Sequence, residues 1–198
     1  MRHPFLAAMS AQLRVRGIAT LRYQFPYFER GRRRPDPPAL CDATVRAAVA
    51  AASGLAPSLV LFAGGKSFGG RMSSQAQALE PLPGVRGLIF LGFPLHAAGR
   101  PSDARAEHLS AVRIPMLFLQ GTRDELAELT LLRPVIERLG ARATLQLSEG
   151  ADHSFHVRRD SGTTDPAVQA ALVDAIAAWI SDSLSSRRSG APDHVIQQ

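Results

Sequence analysis

The chain is poor in cysteine, lysine, tryptophan and tyrosine, and each shortage narrows its class. One residue of 198, Cys41, is cysteine, so no internal disulfide framework can form and a reducing, cytoplasmic setting is expected. A partly buried spectator thiol is the favoured reading of Cys41 over a nucleophile. No apolar run approaches the roughly 20 residues that cross a bilayer, so no membrane partner is expected. Met1-Arg2-His3-Pro4 leads into an amphipathic segment, not a signal peptide. No histidine, cysteine and carboxylate group has metal-ligand spacing, so no metal and no cofactor are expected. There are no internal repeats.

What is abundant is arginine. The formal net charge is +6, and among 23 lysine and arginine residues Lys66 is the one lysine. Arg30, Arg32, Arg33 and Arg34 cluster beside Gly31 and Pro35-Asp36-Pro37-Pro38, which reads as a solvated loop. The other arginines are scattered and no basic–aromatic array accompanies them, so no nucleic-acid partner is expected.

Hydrophobic periodicity gives an alternating series. Pro4 to Arg16 reads as a helix with Phe5, Leu6, Met9 and Leu13 on one face. Strands are expected at Ile18–Tyr23, Ser58–Ala63, Val85–Gly92, Met116–Gln120 and Ala143–Leu147. Helices are expected from about Leu40 to Ser53, Phe68 to Leu79, Ser102 to Ala111, about Thr130 to Leu139, and from Pro166 onward with Asp165 as its cap. The nearly all-apolar second strand suits a parallel sheet covered on both faces. The expectation is an α/β three-layer sandwich with about five visible, mostly parallel strands, helices on both faces and no cap domain. Residues 1–182 would form one domain and 183–198 a disordered polar tail.

Three residue types fall just past strands. Gly65-Lys66-Ser67-Phe68-Gly69 fits G-x-S-x-G, a serine on a tight strand-to-helix turn with small neighbours. Asp124 follows the fourth strand, and His153 follows the fifth. A serine hydroxyl needs a base to take its proton as it attacks, and the base needs a carboxylate to fix its tautomer. Ser67, His153 and Asp124 are the expected nucleophile, base and acid, with the backbone N–H of Phe68 as an oxyanion donor. His156 is a rival base, and Asp152 a less suitable rival acid. A phosphate-loop reading of Gly65-Lys66-Ser67 is rejected because Val60 stands where that loop needs glycine. Phe25, Tyr27, Phe93 and His96 are expected to line the substrate site.

Several segments together resemble one family. They are His3-Pro4-Phe5-Leu6, Leu21-Arg22-Tyr23-Gln24-Phe25-Pro26-Tyr27, Gly64-Gly65-Lys66-Ser67-Phe68-Gly69-Gly70, Phe118-Leu119-Gln120-Gly121-Thr122-Arg123-Asp124 and Ala151-Asp152-His153-Ser154-Phe155. From about His3 to Trp179 the sequence is similar to the small, lidless α/β-hydrolases related to dienelactone hydrolases. The resemblance implies a Ser-Asp-His hydrolase without a cap, with Ser67, Asp124 and His153 at the triad positions and a small-molecule acyl substrate. It leaves the natural substrate and oligomeric state open.

In relatives a strand and an H-G-x-G-type turn precede the segment like His3-Pro4-Phe5-Leu6. That strand lies between those like Ile18–Tyr23 and Ser58–Ala63, and the turn supplies the second oxyanion donor. Here the chain begins at Met1. An upstream extension is the expected explanation, and a shortened chain serving as a weakly active or non-catalytic interaction module is the alternative.

Overall fold

Four short apolar runs form a parallel sheet in chain order, β1 (Leu61–Lys66), β2 (Val85–Leu91), β3 (Met116–Gly121) and β4 (Ala143–Ser148). The computed structural model describes residues 3–188. Around the sheet lie α1 (Pro4–Val15), α2 (Pro26–Glu29), α3 (Pro38–Leu55), α4 (Phe68–Leu79), α5 (Leu129–Leu139) and α6 (Asp165–Arg188), with a 3-10 segment at Ala104–Ala111.

Successive strand side chains point to opposite faces, and both faces here are apolar. Leu88, Phe90, Met116 and Phe118 join Val45, Met72, Leu109, Leu132 and Val135 in one core. Leu91, Leu117 and Leu119, alternating with them along the strands, join Met9, Leu13, Leu172 and Ile176 in a second. Right-handed crossovers between sequential parallel strands all fall on one face. That face carries α4, the 3-10 segment and α5, joined by α3, and leaves the other to α1 and α6. Phe90, Phe93 and Phe118 are completely buried and pack with ring centroids 4.7–5.8 Å apart. Each such ring contributes on the order of 1.5–3 kcal/mol by burial.

The expected first strand, Ile18–Tyr23, is absent: these residues form no ladder and have no regular secondary structure. A strand is completed by its neighbour's hydrogen bonds, and among the described residues β1 pairs only with β2. Leu55, Leu59 and Val60, leading into β1, stay exposed. α5 starts at Leu129, which places Pro134 in its second turn. Asp165 is not the cap of α6. Thr164 is, accepting from Ala167 N–H, while Asp165 turns back to receive the N–H of Val157.

α6 also exceeds expectation. It continues to Arg188, past the expected boundary at Ser183, and the rest of the expected tail lies outside the described residues. Contrary to the sequence expectation that no apolar run approaches bilayer-spanning length, Asp165–Ser185 is by length and composition apolar enough to cross a bilayer. Its inner stripe (Val168, Leu172, Val173, Ala175 and Ile176) is instead packed in the second core.

His108 of the 3-10 segment reaches α4, with Nε2 2.8 Å from Ser74 Oγ. Burial, helped by the Arg71 guanidinium, holds its pKa down to about 4. Below pH 6.5 the unfolded chain takes up a proton that the folded chain refuses, so stability should fall from pH 6.5 to about 4 and change no further below that on this account. For this partly exposed group the loss is about 1–2 kcal/mol after allowing for solvent screening. Thermal melts of the native protein and His108→Gln between pH 7 and 4 should diverge accordingly. Parallel curves would refute the assignment.

Candidate active site

The carboxyl ends of β1, β3 and β4 converge on one serine, one histidine and one aspartate. Ser67 sits between β1 and α4 with φ 49° and ψ −117°, a conformation that costs a non-glycine residue about 1–3 kcal/mol. Its N–H is held by Leu91 O at 3.0 Å. The turn is tight because backbone meets backbone: a Cβ on Gly70 would stand 2.7 Å from Gly65 O. Gly69, the second glycine of the motif, has open space around it. The residue that permits the close approach is therefore Gly70, one position further on.

Ser67 Oγ lies 2.8 Å from His153 Nε2, and His153 Nδ1 lies 2.7 Å from Asp124 Oδ2. Asp124 is buried, and its carboxylate is fully engaged. Oδ1 accepts the N–H of Leu126 at 2.8 Å, and Oδ2 also accepts Gln120 Nε2. Gln120 is completely buried, and its own Oε1 accepts the N–H of Phe93 at 2.9 Å. One side chain thus satisfies the main chain beyond β2 and orients the carboxylate beyond β3. In the sequence the one signal of Gln120's role is an amide ending the apolar run Phe118-Leu119-Gln120, since a buried amide must find partners.

The histidine and aspartate loops touch through their backbones. Gly121 has no room for a side chain: a Cβ would lie 2.3 Å from Ala151 O and 2.7 Å from Asp152 O. Arg123 N–H donates to Ala151 O at 2.9 Å, and Gly150 N–H to Thr122 Oγ1 at 2.9 Å. The rivals are occupied elsewhere. Asp152 Oδ1 accepts the N–H groups of Ser154 and His156, closing the turn that presents His153. The exposed His156 ring pairs with Asp165 at 2.8 Å, which raises the histidine pKa and lowers that of the carboxylate. Cys41 is buried in the first core, and burial pushes its thiol up.

Phe68 opens α4, so its N–H belongs to the first helical turn, where no intrahelical acceptor exists. Its ring packs edge-on against Phe25 (5.3 Å) and Tyr27 (5.9 Å), and the Arg71 guanidinium lies 5.6 Å over it. Phe25 and Tyr27 therefore stand beside the elbow, with Phe25 buried beneath. Phe93 and His96 do not line an open site, contrary to the sequence expectation. Phe93 is wholly buried against Phe90 and Phe118, and His96 is 3% exposed, with Nε2 3.0 Å from Glu128 Oε2. The chain beyond β2 turns inward because the Gln120 amide captures the Phe93 N–H. One surface hollow of about 300 Å³ lies against Phe5, Ser154 and Phe155, next to His153 in the chain, and another of about 520 Å³ lies between β3, β4 and α6. Among the described residues no group of three histidine, cysteine or carboxylate side chains could hold a metal ion.

A family profile described as an alpha/beta hydrolase domain matches residues 1–181. The chain belongs to that family. Solved structures agree. A lidless α/β serine hydrolase from Xanthomonas campestris is 25% identical, with TM-score 0.67 over 90% of this chain and 75% of the other. A dienelactone hydrolase from Anabaena variabilis is 20% identical, with TM-score 0.68 over 91% and 80%. An α/β serine hydrolase homologue from Coxiella burnetii is 19% identical, with TM-score 0.70 over 89% and 77%. The fold is thus that of a small α/β-hydrolase without a cap, and Ser67, Asp124 and His153 occur in this family's chain order.

Proposed function

We propose that this α/β-hydrolase is a serine hydrolase acting on a small ester, thioester or similar acyl substrate. The observation that supports it is the continuous hydrogen-bonded path from Ser67 Oγ through His153 to Asp124, at 2.8 and 2.7 Å, starting from a serine held at φ 49°. His153 Nε2 takes the Ser67 proton as Oγ attacks the acyl carbon, while Asp124 holds Nδ1–H and stabilises the imidazolium. The oxyanion is received by the Phe68 N–H at the positive end of α4. Collapse expels the alcohol or thiol with the proton from His153, leaving the acyl group on Ser67. His153 then deprotonates water, whose attack releases the acid and restores the serine.

Tyr27 and the ring of Phe68 form an aromatic wall beside Ser67, which favours a partly apolar substrate in a shallow site. A fluorophosphonate probe should label the protein, and peptide mapping should find the adduct on Ser67. Folded protein that stays unlabelled would remove the proposal. It would favour the second reading, a non-catalytic interaction module, to which the exposed Leu55, Leu59 and Val60 beside β1 lend support.

A further inference from the structure

We propose that Lys66 is a positioning residue for His153, tying the main chain of the histidine loop to the strand that carries Ser67. The proposal rests on the serine-hydrolase reading above. Lys66 is the last residue of β1, and its Nζ donates to the backbone carbonyl of His153 at 2.6 Å. The same ammonium lies 5.4 Å from the ring centroid of Phe5 and 5.3 Å from that of Phe155, two rings stacked on each other 5.6 Å apart. It therefore joins three segments, the start of α1, the end of β1 and the loop after β4. Phe155 has a φ of 63°, so the loop that offers this ring is itself under backbone constraint.

The surroundings are arranged for a cation. Burial holds Lys66 below the ordinary lysine range, and Asp124 and Asp152 pull it back toward the charged form. An ammonium is compact, with three donors on one atom, whereas a guanidinium is a broad planar fork. Among 23 lysine and arginine residues, the one lysine stands where the niche is bounded by two rings and a carbonyl.

The catalytic cycle gives this contact a purpose. The imidazole is held on one side by Asp124 and on the other by Ser67 Oγ. Once Ser67 is acylated, its oxygen has no proton to share, and that second hold is lost while His153 must still activate water. The Lys66 link does not pass through the serine oxygen, so it keeps the histidine loop registered against the elbow throughout. A misplacement of about 1 Å can cost on the order of 10²-fold in rate.

The test compares p-nitrophenyl acetate kinetics of the native protein, Ser67→Ala, Lys66→Met and Lys66→Cys, the last before and after aminoethylation, which restores an ammonium at nearly the same reach. Cys41 is buried, which directs the reagent to the introduced thiol. Lys66→Met should lower kcat by about 10–100-fold with KM changed less than about twofold, because substrate contacts are intact and histidine alignment is not. Aminoethylation should recover at least about tenfold. A folded Lys66→Met with native kcat, or a loss that aminoethylation leaves untouched, overturns the positioning role. Should Lys66→Met fail to fold, Lys66→Gln, which retains a neutral donor, carries the same comparison. Native protein without Ser67-dependent turnover overturns the hydrolase reading and this inference together, and that result is visible from the first two proteins alone.

Discussion

Ser67→Ala should lower turnover of p-nitrophenyl acetate by on the order of 10⁴–10⁶-fold and abolish labelling by a fluorophosphonate, without changing the fold. Alanine at φ 49° is strained to the same degree as serine, so the substitution adds no backbone cost. What it removes is the atom 2.8 Å from His153 Nε2 on which the proposed covalent step depends. Asp124→Asn should come close behind, with a loss of about 10⁴-fold, since an amide can present its N–H to His153 Nδ1 and favour the wrong tautomer. Matched circular dichroism and melting points are the control. Residual turnover within tenfold of native in a folded Ser67→Ala would end the mechanism.

Gly121→Ala should damage both stability and turnover. Its Cβ would lie 2.3 Å from Ala151 O and 2.7 Å from Asp152 O, and both obstacles are main-chain atoms that cannot rotate away. The two loops must part, and they are the loops that carry Asp124 and His153. Overpacking of this kind costs about 1–3 kcal/mol or more, and separating the proposed acid from the proposed base should cost at least about 10²-fold in kcat. Gly69→Ala is the matched control, because nothing lies within 4 Å of its added Cβ and the site is helical. That substitution should be neutral or stabilise by about 0.5–1 kcal/mol. The reverse order, with Gly69→Ala the more harmful, would contradict the packing described for the elbow.

Much of this arrangement was legible in the sequence where burial is symmetrical. Leu88-Ile89-Phe90-Leu91 and Met116-Leu117-Phe118-Leu119 announce strands covered on both faces, because no amphipathic alternative accommodates such runs. The positions of Ser67, Asp124 and His153 followed from the strand ends. Ile18–Tyr23 misled because its β-branched and aromatic residues suit a strand, yet a strand also needs a neighbour's hydrogen bonds. Phe93 and His96 misled for another reason. Position just beyond a strand locates a residue near the site, but its direction is set by the Gln120 amide and by Glu128, contacts separated from them in the chain. In the sequence Lys66 stands out as the one lysine and Gly121 as a motif member, but neither role is visible there. Their roles depend on which carbonyls stand opposite, and spacing along the chain does not encode that.

The two faces of the sheet also differ in when the chain can complete them. The first core draws on residues between Tyr23 and Leu145, whereas the second joins α1 to α6, linked by the ion pair of Arg16 with Asp174, 158 residues later. At about 5–20 residues per second, a ribosome needs about 8–30 s to make that stretch. Throughout it, Met9 and Leu13 have no partner helix. Ala151, Phe155 and Val157, which flank His153, belong to the same late core. The elbow serine can therefore be seated well before the nascent chain has anything against which to lock its histidine.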